Sequence, residues 1–376
     1  VDFVEIKGTL MKFNLSREAL LKPLQLVVGV VERRQTLPIL SNVLLRIDGS
    51  RLSITATDLE VEIVGFSEVS GSLEGGDVTI PARKFADICR SLPDGAIVEF
   101  SSGDGRAQIV SGRSRFTLAT LPANEFPSVE DSEESIGFIA KGLVIKSLVD
   151  STSFAMAQQD VRYYLNGMLW ELSSNNLRAV ATDGHRMALC DVECSVDIAE
   201  KISVIMPRKG IVELSRLLGD DDIAITMGVS HVRAKTDDFC FTSKLVDGTY
   251  PDYERVLPKG GEKRVLGERL ELRQAFNRAS ILSNEKYRGV RLLLSSGGLK
   301  MVANNPEQEE AEEEVSVDYV GDDLEIGFNV SYLLDVLNVL KGSSVCFTLS
   351  DSNSSALLED SSENTRAVYV VMPMRL

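Results

Sequence analysis

Three stretches decide the fold: LSITATDLEVEI (residues 52–63), LRAVATDGHRMA (residues 177–188) and LKMVANNPEQEE (residues 299–310). They begin 125 and 122 residues apart. A second block keeps the same order and nearly the same spacing, with Pro81 in VTIPARKFADICRSL, Pro207 in VIMPRKGIVELSRLL and Asn329 in IGFNVSYLLDVLNVL at offsets of 126 and 122. A third links Phe116 in FTLATLP to Phe241 in FTSKLVD, 125 residues on, and more loosely to Tyr369 in YVVMPMRL. The period is far longer than the ~20–50 residues of a solenoid repeat, so each copy is a complete domain. Boundaries follow at 11–130, 137–257 and 258–376, with residues 1–10 a leader or remnant ahead of a plausible start at Met11.

Each copy reads alike. An amphipathic helix opens it (16–31, 141–157, 268–283), and in the first the apolar residues Leu20, Leu21, Leu24, Val27, Val28 and Val31 recur at helical spacing. Ser16 suits the N-cap, while Pro23 delays or bends this helix. Alternating strands follow, 52–63 among them. A second helix starts near Pro81, Pro207 and Asn329, with proline expected at the first helical position in two copies. Strands such as 113–118 close the unit. Strands and helices in runs, without strict alternation, predict an α+β fold with antiparallel sheets. Linkers rich in charge, Pro or Gly fall near 128–135 and 256–263.

A chain of 376 residues has room for several cores. No apolar run approaches the roughly 20 residues of a membrane helix, and residues 1–10 lack the zones of a signal peptide. Five scattered cysteines without a C-x-x-C pair fit buried thiols in a reducing cytoplasm. The net charge of −16 argues against a nucleic-acid binder at first sight. The six helix-related segments, however, carry nineteen Lys and Arg against ten Asp and Glu, leaving the rest of the chain at −25. Helix propensity alone accounts for such a bias as readily as DNA contact does.

TLPILSN (36–42), QDVRYYLNG (159–167), ATDGHR (181–186), FTSKLVDG (241–248), ILSNEK (281–286), NNPEQEEAEE (304–313) and YVVMPMRL (369–376) settle that question. Together they make the chain, from Met11 onward, resemble the bacterial DNA sliding clamps, the beta subunits of the replicative polymerase. The resemblance implies three clamp domains per chain and a head-to-tail homodimer around duplex DNA, its helices lining the hole and its sheets outside. It implies a non-enzymatic processivity factor whose partners are DNA, a clamp loader, the polymerase and other clamp-binding proteins, with no cofactor, metal or membrane. A mildly basic inner wall lets DNA slide, because tight phosphate binding would stall it.

Residue by residue, the resemblance places Arg34, Gln159, Tyr163 and Tyr164 at a DNA-facing mouth, and Arg208 and Lys209 at the start of an inner helix. It assigns a partner groove to Leu165, Thr182, Gly184, His185, Arg186 and Met187, the last standing where leucine is common in the family. Pro251, Arg255, Val256, Asn329, Tyr332 and the tail Val370, Val371, Met372, Pro373, Met374, Arg375 complete that groove. The tail suits such a role on its own physics, since methionines flanking a proline offer adaptable apolar contacts on a stiff chain. A closing core strand is the plainer reading. The acidic run with Glu307, Glu309 and Glu310 reads alone as a solvated loop. The family sets it at a subunit boundary opposite Arg113, Arg115, Phe116 and Leu118, the last two meeting Ile281 and Leu282.

Two other classes compete. A hydrolase would draw on Asp183 and His185, yet the chain has only two histidines and lacks a G-x-S-x-G elbow, a P-loop and a G-x-G-x-x-G fingerprint. A monomeric peptide adaptor would need neither a ring-closing strand nor basic helices.

Overall fold

The computed structural model describes residues 11–31, 37–69, 74–129, 135–361 and 366–375. Among them lie six α-helices: α1 Arg17–Val27, α2 Ala82–Ser91, α3 Gly142–Thr152, α4 Arg208–Leu217, α5 Arg269–Ser280 and α6 Val330–Val339. All named strand pairs are antiparallel. These helices hold 12 basic and 6 acidic residues, so the described helices are net basic within an acidic chain.

The repeated stretch is a hairpin, not one strand. Residues 52–63 were expected to run on; instead Arg51–Thr57 and Val61–Glu68 pair across a tight turn. The Asp58 carboxylate accepts from the N–H of Glu60 and Val61 at 2.9 and 2.7 Å, offering the backbone an alternative to the ladder. Asp183 does the same for His185 and Arg186 at 2.9 and 3.0 Å. The turns need a left-handed residue, supplied by Leu59 (φ 79°) and Gly184 (φ 87°). The third copy uses a longer turn, with Gln308 at φ 66° and Asn305 accepting from Glu309 N–H.

Two compact units result. The first comprises residues 1–143 and 212–245, the second 144–211 and 246–376. They do not follow the sequence repeat, because each copy splits its strands between different sheets. In the first unit an eight-stranded sheet runs Gly76–Pro81, Asn42–Asp48, Arg51–Thr57, Val61–Glu68, Phe239–Lys244, His231–Lys235, Asp222–Gly228, Ser135–Lys141. In the second, the order is Ile202–Pro207, Gly167–Leu172, Asn176–Thr182, Arg186–Glu193, Ala367–Val371, Ala356–Asp360, Ser344–Leu349, Lys263–Glu268. Each is two four-stranded halves joined at a seam. The first unit also holds a four-stranded sheet ending on Ser114–Ala119, and the second one ending on Glu310–Ser316.

Helix α1 buries Leu20, Leu21, Leu24 and Val27 and is capped by Ser16, whose hydroxyl accepts from Ala19 N–H. Leu24→Ala would cost roughly 2–5 kcal/mol. Pro23 neither delays nor breaks the helix; it is buried where Gly65 lets the strand approach, a Cβ there lying 2.8 Å from the proline ring. The helix stops at Val27, short of Val31. Pro81 is the N-cap of α2, one place before the expected position, and Pro207 likewise ends a strand before α4. No described helix is long and apolar enough to cross a membrane.

Candidate binding groove and open sheet edges

The second unit gathers most of the anticipated groove residues around its seam. Arg186, Met187 and Ala188 stand opposite Val371, Val370 and Tyr369. Met372 N–H donates to the His185 carbonyl at 2.9 Å, and Met374 N–H to that of Gly327 at 2.8 Å. Between them Pro373 has no N–H to give, so the tail is held on both sides of the proline. Leu165, Met187 and Val370 are buried in one apolar cluster with Leu169, Val180, Tyr250 and Tyr253. They form the floor. The residues left open above it are Gly184, His185, Pro251, Val256 and Met372, the last two each 44% exposed.

Arg186 is fixed, not free to swing. Its guanidinium pairs with Asp183 at 3.1 Å and with Asp335, donates to the Phe154 carbonyl at 2.8 Å, and lies 4.5 Å above the Tyr332 ring. Burial pushes the Tyr332 hydroxyl above the usual tyrosine range. Thr182 is committed too, its hydroxyl donating to the Arg186 carbonyl. Asn329 caps α6, its side chain accepting from Ser331 N–H. Arg255 pairs with Asp252 at 2.7 Å on an exposed loop. Met374 and Arg375 line a cleft of about 420 Å³ with Asn284, Tyr287 and Asn305.

Of the residues expected to meet DNA, Arg34 lies outside the described residues. Gln159 is exposed with φ 57°. Tyr163, also exposed, meets Tyr164 edge-on at 5.8 Å, with Gly248 close beneath both. Arg208 opens α4 and donates to the Met156 carbonyl at 3.4 Å; Lys209 follows it in the helix. Both short sheets expose an outer strand. Ser114–Ala119 turns Phe116 and Leu118 to its half-buried face and Arg115 to solvent. Arg113 sits in the preceding hairpin turn, not in the strand. On Glu310–Ser316 the outward residues are Glu310, Glu312 and Glu314, while Glu313 faces α5 and takes a two-pronged bond from Arg278 at 2.7 and 2.6 Å. Glu307 and Glu309 belong to the turn before that strand. Ile281, just past α5, is 75% exposed, and Leu282 half-buried.

Comparison with known proteins decides the identity. Residues 11–130, 141–252 and 254–375 match the N-terminal, central and C-terminal domains of the DNA polymerase III beta subunit. The chain belongs to that family, the bacterial beta sliding clamps. It is 60% identical to the beta sliding clamp of Pseudomonas putida over 97% of this chain and 100% of that one, and 52% identical to that of Escherichia coli K12 over the same shares. A crystal structure of the Pseudomonas aeruginosa clamp superposes with a TM-score of 0.95 at 59% identity, covering 97% of this chain and 100% of that one. A Caulobacter crescentus clamp does so at 0.91 and 40%, covering 98% and 100%. As a member of the family the chain is a DNA polymerase processivity factor and not an enzyme. The Asp183–His185 pair accordingly needs no catalytic role, and the Asp183 side chain is spent on its turn and on Arg186.

Sequence reasoning missed Arg162, which flanks the candidate groove of this clamp. It grips Asp160 at 2.9–3.0 Å and the Asp183 carbonyl at 3.3 Å, and its hydrogen bonds hold the Asp160 carboxyl down at about 2. Asp335 and Phe154, which fix Arg186, were missed as well. The helical spacing around them signals packing and carries no sign of these long-range partners.

Proposed function

We propose that two copies of this clamp close head to tail by completing the open sheets, Ser114–Ala119 of one copy against Glu310–Ser316 of the other. The observation that carries this is the seam register. In the second unit Ala188 faces Tyr369, and in the first Ile63 faces Phe241. The hairpin pairs Ala303 with Ala311 as it pairs Ala181 with Ala188, so Ala311 stands for Ala188 and Phe116 for Tyr369. Ala311 opposite Phe116 then puts both on inward faces, and Arg115 opposite Glu312 with Glu310 diagonal to it on outward ones. Glu309 falls beside Leu118, and Glu307 and Arg113 flank the strand ends. Ile281 and Leu282 cover Phe116 and Leu118. Such an interface is heterologous and must close or polymerise. Apolar burial stabilises it, at about 25 cal/mol per Å², while exposed ion pairs contribute only about 0–1 kcal/mol each and set register.

In this reading the three copies, 11–130, 137–257 and 258–376, are the clamp domains. DNA passes through the ring, met by Arg34, Gln159, Tyr163, Tyr164, Arg208 and Lys209 through phosphate contacts blind to sequence. The groove takes short apolar segments of the polymerase, the clamp loader and other clients. Clamps from Pseudomonas aeruginosa and Bartonella birtlesii were crystallised bound to griselimycin; this clamp is expected to bind it over the floor of Leu165, Met187 and Val370.

Ile281→Ala with Leu282→Ala should give folded monomers by light scattering, and a dimer persisting at micromolar concentration removes this interface. Loaded protein should stay on nicked circular DNA and leave once the circle is linearised. Equal retention on both forms contradicts the ring.

A further inference from the structure

We infer that Tyr253, held from behind by Glu171 and Arg178, is a positioning residue that sets the outer lip of the groove. This rests on the groove reading above. Pro251, Arg255 and Val256 reach the groove from the segment 249–256, whose only regular structure is the short turn Tyr253–Arg255. Tyr253 is one of that segment's two inward anchors, 5% exposed, with its ring in the same apolar cluster as Leu165, Met187 and Val370. The other, Tyr250, accepts from Thr182 N–H at 3.1 Å and leaves the Val256 end of the segment to Tyr253. Its carbonyl accepts from Val256 N–H at 3.0 Å, so the lip moves when Tyr253 moves.

The hydroxyl is held by charges outside the groove. It donates to the Glu171 carboxylate and accepts from Arg178 at 3.3 Å. Glu171 in turn takes Lys201 at 2.7 Å and Ser203 at 3.3 Å, and Arg178 grips Asp191 with both prongs at 2.7 and 2.8 Å. Burial opposes ionisation of Glu171, but the Lys201 and Tyr253 bonds outweigh it and lower its pKa; burial first, then the carboxylate beside it, pushes the Tyr253 hydroxyl up to about 12. At neutral pH the acceptor is charged and the donor keeps its proton. An open cleft of about 460 Å³ lies between Leu169, Glu171, Lys201 and Ser203 on one side and residues 249–254 on the other, so the segment is not packed tightly along its whole length and depends on such anchors. At the corresponding places of the first copy stand Arg46, Ser53 and Ser128, which cannot build this network. The anchor belongs to the copy that carries the groove.

Tyr253→Phe keeps the ring and leaves each charge with a partner, Glu171 with Lys201 and Arg178 with Asp191. Griselimycin binding to the intact dimer is followed by surface plasmon resonance. Dissociation should quicken by about 3- to 10-fold with association nearly unchanged, as expected when a preorganised contact is loosened. Glu171→Gln, which keeps an acceptor for the hydroxyl, should stay within about 2-fold of the parent. In a Val256→Ala background the Tyr253→Phe effect should vanish, since the residue acts through that lip. Unchanged dissociation in Tyr253→Phe, or an effect that simply adds to Val256→Ala, overturns the inference. Met372→Asp separates the two levels. If it abolishes binding while Tyr253→Phe does nothing, only the positioning role falls; if Met372→Asp binds normally, the groove assignment itself falls.

Discussion

Where Phe239–Lys244 joins Val61–Glu68 in the first unit, Lys244 N–H continues past the seam to the Glu60 carbonyl at 2.8 Å. Where Ala367–Val371 joins Arg186–Glu193 in the second, Met372 N–H reaches the His185 carbonyl at 2.9 Å. The preceding turns match as well, Leu59 and Gly184 both being left-handed at φ 79° and 87°. The backbones are the same device; the side chains are not. Met187 faces Val370 with Met372 beyond, whereas Glu62 faces Thr242 with Lys244 beyond. An apolar segment finds a dry floor at the second seam and a desolvation cost for polar and charged groups at the first. Geometry repeated by the fold is not by itself a site.

The sharpest way to break this contrast is to give the second seam the chemistry of the first. Met187→Glu with Met372→Lys should weaken griselimycin binding by roughly 100-fold or more, the scale of losing central apolar anchors, with the dimer intact by light scattering. Gly184→Leu copies the residue of the other turn. The left-handed backbone should cost ~1–2 kcal/mol in a denaturant titration. A Cβ there lies 3.1 Å from the Arg162 guanidinium, so that side chain must shift, and affinity should fall about tenfold as the lip beside it is reshaped. The reciprocal change, Leu59→Gly, relieves left-handed strain on a partly exposed side chain. It should stabilise the fold by no more than ~1 kcal/mol, offset in part by glycine's greater freedom when unfolded, and leave binding unchanged.

The smallest expected effect is in pH. Glu171 has its pKa lowered below the ordinary 4.5 in the folded chain. A depressed carboxylate gives its full stabilisation above the ordinary value and loses it as pH falls through the folded one. Stability in a denaturant titration should therefore be flat near neutrality and fall slightly below pH 4.5, and Glu171→Gln should remove that part of the acid limb. A limb unchanged in Glu171→Gln assigns it to another group.

The repeat made much of this legible. The spacing of the TD stretches located the three copies, and the family strings located the residues that the second seam assembles. What stayed hidden has physical causes. A single strand was expected through 52–63 because alternation does not register a turn made by an Asp side chain two and three residues ahead of its donors. The compact units were hidden because each copy lends half its strands to a neighbouring copy, and pairing such as Ile63 with Phe241 spans most of two repeats. Tyr253 escaped notice because its partners, Glu171 and Arg178, lie 82 and 75 residues away. Arg186 was placed in the groove by resemblance, but the bonds to Asp183, Asp335 and the Phe154 carbonyl that hold its guanidinium in place were not foreseen.

Stoichiometry tests the contrast between the seams most directly. Calorimetric titration of the dimer with griselimycin should give one site per chain in the parent and none in Met187→Glu with Met372→Lys. Two sites per chain, or one surviving in that variant, would contradict the claim that the second seam alone is the groove.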